Sequence, residues 1–286
     1  MFQNKKIAFI GSGVMAEAMI AGLLRTASAP LTSLIAAEPR PERIEELRAR
    51  YGVETTADNV VAASQADVVV LSVKPQTLGK VLNNLRGHIQ PHALVLSIVA
   101  GAPIVKITKG LEHTAIVRSM PNTPAQIGEG ITVWTAAPGV TAEQRDMARE
   151  ILKALGEEVF VEEETYLDMA TALSGTGPAY VFLFMEAMVD AGVHLGFHRS
   201  IAEKLVTQTV RGSVDFYIAK AGATHLATLR NQVTSPAGTT AAALYYLDKA
   251  GFRTAISRAI WAAYERSQTL GGDAKSQSPE TTGSSS

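Results

Sequence analysis

Residues 6–24, KIAFIGSGVMAEAMIAGLL, limit what this chain can fold into more than any other stretch. Ile7, Ala8, Phe9 and Ile10 form a short unbroken apolar run, the pattern of a strand buried on both faces. Gly11-Ser12-Gly13-Val14-Met15-Ala16 follows at once, and apolar residues then recur with helical spacing at Met15, Met19, Ile20, Leu23 and Leu24. Strand, G-x-G-x-x-A and helix in that order match the dinucleotide-binding fingerprint. Gly11 permits the tight turn, Gly13 lets the backbone approach a pyrophosphate, and Ala16 lets helix and strand pack closely. The unpaired N–H groups and the positive dipole end of the helix then face the phosphates. Gly11, Ser12, Gly13, Val14, Met15 and Ala16 are therefore candidate cofactor contacts.

Further strands are expected at residues 33–37, 53–56, 68–73, 94–98, 115–119, 131–134 and 158–161, alternating with helical segments. That alternation predicts a doubly wound α/β domain of Rossmann type. The second strand ends in Glu38-Pro39-Arg40-Pro41, which places an acidic residue 27 positions after Gly11, near where a ribose 2′-OH acceptor belongs. Arg40 and Arg43 are instead suited to a 2′-phosphate, so NADH and NADPH both stay open. The fourth strand runs into Lys74-Pro75, and a residue before proline is held extended, which puts Lys74 at the C-terminal sheet edge where ligands bind. Met120-Pro121-Asn122-Thr123-Pro124 forms a stiff turn at the same edge, and Thr141 to Gln144 is a capping box.

Composition closes off several function classes. Net charge is −1, with 26 Lys and Arg against 27 Asp and Glu and no long basic run, so no nucleic-acid footprint is expected. There is no cysteine, which excludes disulfides, thiolate nucleophiles, iron–sulfur clusters and Cys-ligated zinc. Lys5-Lys6 ahead of an apolar stretch resembles a signal peptide, but Glu17 interrupts it and the glycines fit a turn. With no run of 18 apolar residues, no membrane partner is expected and the protein is assigned to the cytoplasm.

After Glu162-Glu163-Glu164, read as a solvated charge run and a domain boundary, the pattern turns helical. A helix over 167–173 is expected to break at Ser174-Gly175-Thr176-Gly177-Pro178. Residues 179–189, AYVFLFMEAMV, are apolar nearly all round, which calls for burial against a second subunit. His194 and His198 lie four apart, but Gly196 reads as a helix C′ residue and no metal site is expected. Ser200 to Glu203 reads as a second capping box. Asn231 to Thr240, NQVTSPAGTT, is the densest cluster of small polar residues and precedes a helix whose first N–H groups suit a carboxylate. The expected organisation is a dinucleotide-binding domain over 1–163, a helical substrate and dimerisation domain over 164–272, and a disordered Gly/Ser/Thr-rich tail over 273–286.

The pieces IGSGVMAEAM, LSVKPQ, SIVAG, MPNTPA, LSGTGPAYV and VTSPAGTTAAAL occur in the order found in pyrroline-5-carboxylate reductases, and the chain resembles that family from Ile7 to about Thr269. The resemblance implies an oxidoreductase of proline biosynthesis that transfers a hydride from NADPH, with NADH as an alternative, to the C=N bond of 1-pyrroline-5-carboxylate, giving proline. It implies that Asn59, Val73, Lys74, Pro75, Ala100 and Gly101 contact the cofactor beside residues 11–16. It also implies a homodimer through the helical domain and larger rings of dimers. Substrate would sit against Ser235, Gly238, Thr239 and Thr240, with Ser174 nearby, and Thr240 and Ser235 are the candidate catalytic hydroxyls. Glu38 stands where relatives often carry Ser, Thr or Asn, so mixed use of NADPH and NADH is expected. Two other readings stay open: a 3-hydroxyacid-type dehydrogenase, for which Lys204 and Lys220 are the nearest candidate bases, and a non-catalytic NAD(P)-sensing protein.

Overall fold

A computed structural model describes residues 2–220 and 224–271; the tail expected over 273–286 lies outside them. The chain forms two compact units, one of residues up to Thr176 and from Ala263 onward, the other Gly177–Ala262.

The first unit is a single eight-stranded sheet: β1 (Ile7–Ile10), β2 (Leu34–Ala37), β3 (Glu54–Thr56), β4 (Val68–Leu71), β5 (Leu94–Ser97), β6 (Ile116–Met120), β7 (Gly130–Ala136) and β8 (Gly156–Phe160). The spatial order is β3-β2-β1-β4-β5-β6-β7-β8. Strands β1 to β6 are parallel, and β1, β2, β4 and β5 are buried along their whole length, as suits such strands; β7 turns antiparallel to β6, and β8 runs parallel to β7. Helices α1 (Val14–Arg25), α2 (Pro41–Tyr51), α3 (Asn59–Ala63), α4 (Pro75–Leu85), α5 (Ile104–Leu111) and α6 (Ala142–Lys153) form the connections. The chain turns back on itself between β1 and β4, which creates the crevice where open sheets of this kind bind ligands. Every side chain of β1, β2 and β4 is buried. The capping box at Thr141 and Gln144 forms as expected, each side chain bonding the other's backbone N–H.

The expected break at 174–178 is instead a change of helical register. Helix α7 (Tyr166–Ala170) passes into a π turn over Thr171–Gly175, closed by a bond from Thr176 N to the Thr171 carbonyl (2.9 Å). Pro178 has no N–H, so the carbonyl four residues back, that of Ser174, loses its helical donor. Asn122 Nδ2 donates to that carbonyl (3.2 Å), and Asn122 Oδ1 accepts from Ile131 N (3.0 Å). The prolines on either side of Asn122 thus stiffen a buried clamp between the β6–β7 connection and the π turn.

The acidic run is only partly solvated. Glu164 Oε1 accepts from Ile104 N at the start of α5 (2.8 Å) and from Arg118 on β6 (2.9 Å), while Arg118 also reaches Asp168 on α7 (3.1 Å). Arg118 is 5% exposed, and these bonds fasten α7 to the sheet. For that reason the compact unit continues to residue 176, past the boundary expected at 163.

The second unit holds α8 (Gly177–His194), α9 (Arg199–Ala219), α10 (Leu226–Gln232), α11 (Thr239–Lys249) and the first part of α12 (Phe252–Gly271). Gly196, at φ +108°, is the helix C′ residue anticipated: Gly196 N bonds Val193 O (3.0 Å) and Phe197 N bonds Gly192 O (3.2 Å). The second capping box does not form. The N-cap of α9 is His198, with no side-chain capping bond, and Ser200 already lies inside the first turn. On α8, Phe182 is 63% and Leu183 66% exposed, so the apolar helix does lack a cover within its own unit.

Replacing Asn122 with Ala leaves the Ser174 carbonyl and the Ile131 N–H, both partly buried, without these partners. The expected cost is about 2–4 kcal/mol, one desolvation penalty for each group. Thermal melts of the variant check this, and an unchanged melting temperature contradicts the clamp.

Candidate functional site

The expected cofactor residues of the first unit gather at the C-terminal ends of β1, β2, β4 and β5. Residues 11–16 follow β1, Glu38 and Arg40 follow β2, Val73, Lys74 and Pro75 link β4 to α4, and Ala100 and Gly101 link β5 to α5. Asn59 opens α3, whose cap Asp58 accepts from Val60 N. Lys74 is extended (φ −66°, ψ 146°), as the following proline demands.

The two glycines of the loop perform different tasks. Gly11 lies at φ +85°, and a Cβ built there would come within 2.7 Å of Val73 Cγ1 and 3.2 Å of the Ser72 carbonyl. Gly13 has an ordinary φ of −71° and caps α1; a Cβ there would meet nothing within 4 Å. Gly11 is thus required by the protein's own packing. Gly13 borders open space beside the first, unpaired N–H groups of α1, which is where a pyrophosphate needs close approach. The loop fits the dinucleotide that the fingerprint implies.

Around that opening the loop is held by polar contacts. Gly11 N donates to Ala37 O (3.0 Å), and Ser72 Oγ donates to Gly11 O (2.6 Å). Ser12 is fully buried, with its N donating to Glu38 Oε2 (3.2 Å) and its Oγ to Ala37 O (3.3 Å). Glu38 is 4% exposed, and its other oxygen accepts from Arg40 Nε (2.7 Å). Burial alone would raise the Glu38 carboxyl, but the bonds from Arg40 and Ser12 N outweigh it and hold the group below its ordinary pKa. Glu17 in α1 follows the same logic, with burial opposed and overcome by Arg43 and Tyr51. A depressed carboxylate stabilises the fold above its unfolded pKa, and this contribution fades as pH falls through the folded value. Arg43 is not the free cation its position suggested: its side chain is 12% exposed and fully engaged, whereas that of Arg40 is 64% exposed.

In the second unit, Ser235, Gly238, Thr239 and Thr240 come together in one turn leading into α11. Gly238 N bonds Ser235 O (3.1 Å) across Pro236 and Ala237, and Gly238 is the helix N-cap. Ala237 sits at φ +56°, a left-handed conformation that a side chain tolerates at some cost. Thr239 and Thr240 occupy the first turn of α11, so their N–H groups have no partner within the helix. Ser174 belongs to the π turn of the first unit. Sequence reasoning did not assign Glu17, Ser72 or the clamping role of Asn122, because each acts on partners that only the fold brings near: backbone atoms for Ser72 and Asn122, arginine and tyrosine side chains for Glu17. Among the described residues no group of three or more His, Asp or Glu side chains is placed to hold a metal.

The family model described as pyrroline-5-carboxylate reductase dimerisation matches residues 164–270, and one described as NADP oxidoreductase, coenzyme F420-dependent, matches residues 6–101. The chain is similar to the pyrroline-5-carboxylate reductase of Synechocystis sp., with 43% identity over 266 residues covering 93% of this chain and 98% of the relative. The protein of the same name from Pseudomonas aeruginosa is 39% identical, over 93% of this chain and 96% of its own. A solved Plasmodium falciparum pyrroline carboxylate reductase with NADP bound matches at a TM-score of 0.86 and 32% identity, covering 95% of this chain and 100% of that one. A Coxiella burnetii pyrroline-5-carboxylate reductase matches at 0.86 and 34%, covering 94% and 100%.

The contrast between the two glycines gives a paired test. Gly11→Ala is expected to destabilise the fold by about 2–4 kcal/mol, from left-handed strain together with overpacking against Val73. Gly13→Ala should cost less than about 1 kcal/mol, the loss of a good cap residue, yet weaken dinucleotide binding about tenfold or more. Melting curves and cofactor titrations of the two variants separate these outcomes.

Proposed function

The chain belongs to the pyrroline-5-carboxylate reductase family, and on that premise we propose how its residues divide the work. It is an NAD(P)-dependent oxidoreductase that reduces the C=N bond of 1-pyrroline-5-carboxylate to give L-proline, the last step of proline biosynthesis. The observation that carries this reading is the Synechocystis match, 43% identical over 93% of this chain and 98% of the relative. When bound, NADPH supplies the hydride.

Residues 11–16 hold the pyrophosphate through backbone N–H groups, and Asn59, residues 73–75, Ala100 and Gly101 line the rest of the cofactor's path. The Thr240 hydroxyl bonds the ring nitrogen, with Ser235 beside it in the same turn. The N–H groups of Gly238 and Thr239 at the start of α11 take the substrate carboxylate, aided by the helix dipole. A protonated imine already carries its proton, so these residues orient the ring and balance its charge, and no strong general acid is needed.

The helix Tyr166–His194 is long and apolar enough, by length and composition alone, to cross a membrane. We assign its apolar face to a second copy of the chain. Tyr180, Leu183, Phe184 and Met188 of α8 and Phe252 and Ile256 of α12 line a groove of about 520 Å³ within the second unit. The dimerisation match spans this groove. A homodimer, with rings of dimers as the larger form, in the cytoplasm is the assembly proposed.

Addition of 1-pyrroline-5-carboxylate is expected to oxidise NADPH with proline as product. A sensor protein would bind without turnover, and a hydroxyacid dehydrogenase would act on the hydroxyacid. Thr240→Val should lower kcat/KM about tenfold or more, the loss of one good transition-state hydrogen bond. Wild-type kinetics in that variant would remove Thr240 from the mechanism.

Cofactor choice rests on Glu38 and Arg40. Glu38 repels a 2′-phosphate and engages the exposed arginine that would otherwise meet it, so both cofactors are used with a modest NADPH preference. Glu38→Ser is expected to shift the ratio of kcat/KM toward NADPH by about fivefold, the scale of a partly exposed charge contact. Loss of the Ser12 bond affects both cofactors alike and cancels in the ratio. A ratio that stays put or moves toward NADH places Glu38 away from the ribose.

A further inference from the structure

Arg43 uses three directions of its guanidinium at once. Nε donates to the Ser12 carbonyl (2.9 Å), Nη2 to Glu17 Oε2, and Nη1 pairs with Glu46 Oε2 (2.7 Å). Glu17 is likewise fully used, since its Oε1 accepts from Arg50 (2.8 Å) and from the Tyr51 hydroxyl (2.7 Å). Its backbone N donates to the Gly13 carbonyl (3.0 Å).

In a planar trans peptide, a carbonyl and the next residue's N–H point in opposite directions. The Gly11 carbonyl is taken by Ser72 Oγ, and the Ser12 N–H accordingly points the other way, to Glu38. The Ser12 carbonyl is turned to Arg43, so the Gly13 N–H is aimed away from Arg43. The Gly13 carbonyl is turned to Glu17 N, so the Val14 N–H is aimed out of the helix start. Arg43 therefore fixes the peptide plane whose N–H borders the open space beside Gly13, the first backbone bond of α1 fixes the next plane, and the Glu17 carboxylate holds Arg43 in place. An acidic residue in the first turn would otherwise oppose an incoming phosphate; here two arginines neutralise it.

We propose that Glu17 and Arg43 form a brace that holds the glycine loop in its phosphate-receiving shape, making Arg43 a positioning residue and not a ligand of the cofactor's 2′-phosphate. This rests on the reading that residues 11–16 bind the pyrophosphate. A brace acts on the part common to both cofactors, whereas a 2′-phosphate ligand acts on NADPH alone. The two roles also respond differently to lysine, a point charge that serves a phosphate but cannot bond in three fixed directions.

The test is steady-state kinetics and dissociation constants for NADPH and NADH in the wild type, Arg43→Lys, Arg43→Met, Glu17→Gln and the Glu17→Gln/Arg43→Met double variant, with melting curves to confirm folding. Each single variant is expected to raise KM and Kd for both cofactors by about fivefold, the factor for one hydrogen bond of ordinary strength. The NADPH-to-NADH ratio should stay constant, with kcat at saturating cofactor within about twofold of wild type. The double variant should bind no more weakly than Arg43→Met, because both changes break the same contact. A selective loss of NADPH affinity in Arg43→Met that Arg43→Lys restores overturns the proposal, as does unchanged affinity in the folded Glu17→Gln protein. The underlying reading fails separately, if Gly13→Ala leaves the affinity for both cofactors at the wild-type value.

Discussion

The chain leaves β1 through a gap too narrow for any side chain, and the geometry of the first unit is arranged about that passage. A methyl group on Gly11 would meet Val73 of the neighbouring β4–α4 loop at 2.7 Å. The narrowness follows from the sheet order, since β1 has β2 on one side and β4 on the other and the topology reverses between β1 and β4. Tight packing here allows Ser72 to cap the Gly11 carbonyl and Glu38 to reach Ser12 N, bonds that come from the strands on either side. A phosphate-receiving loop needs its N–H groups aimed before the ligand arrives. Fixing it from both neighbouring strands supplies that orientation without loss of conformational freedom on binding.

A second set of polar clamps joins the end of the sheet to the start of the helical region. Arg118 sits almost wholly buried on β6, and its two carboxylate partners anchor the N-terminus of α5 and helix α7. Asp168 also accepts from Ser267 on α12 (3.1 Å), so the last helix returns to the same point. Buried charge of this kind is costly to leave unpaired and adds little over an apolar core of the same shape. Its benefit is directional, because three elements from distant parts of the chain are held by defined bonds.

What could be read from the sequence depended on how far apart the cooperating residues lie. The eight strands, the capping box at Thr141 and the C′ role of Gly196 were all legible, because periodicity and short-range motifs encode them within a few positions. The capping box expected at Ser200 satisfied the same pattern and did not form: the chain leaving the Gly196 turn becomes helical two residues too early for a cap at Ser200. The π turn was read as a break, since Ser-Gly-Thr-Gly-Pro carries breaker residues and the rescuing donor, Asn122, lies 52 positions upstream. Arg43 looked like a phosphate ligand because its contacts to Glu17 and Ser12 are made 26 and 31 positions away. The glycine loop and the 235–240 turn were visible as candidate sites because backbone chemistry, which needs small residues in sequence, defines both.

The reaction itself explains why the charged side chains mapped around the glycine loop are spent on one another. Reduction of a protonated imine by hydride needs no base, no nucleophile and no metal-activated water, so the site can do without a titrating group poised near neutrality. The carboxylates beside the loop are both held below their ordinary pKa against the opposing effect of burial, Glu17 by Arg43, Tyr51 and Arg50, and Glu38 by Arg40 and backbone N–H groups. They remain charged through the neutral range and act as fixed elements of the scaffold. On the proposed reading, discrimination between cofactors falls to the charged group left exposed. Arg43 is pinned in three directions, while Arg40 is mostly exposed and tied only to Glu38. A single exposed salt bridge is weak enough for an incoming phosphate to compete with it. On the role proposed above for Glu38 and Arg40, the preference for NADPH or NADH turns on the exchange of one arginine between a carboxylate of the protein and a phosphate of the ligand.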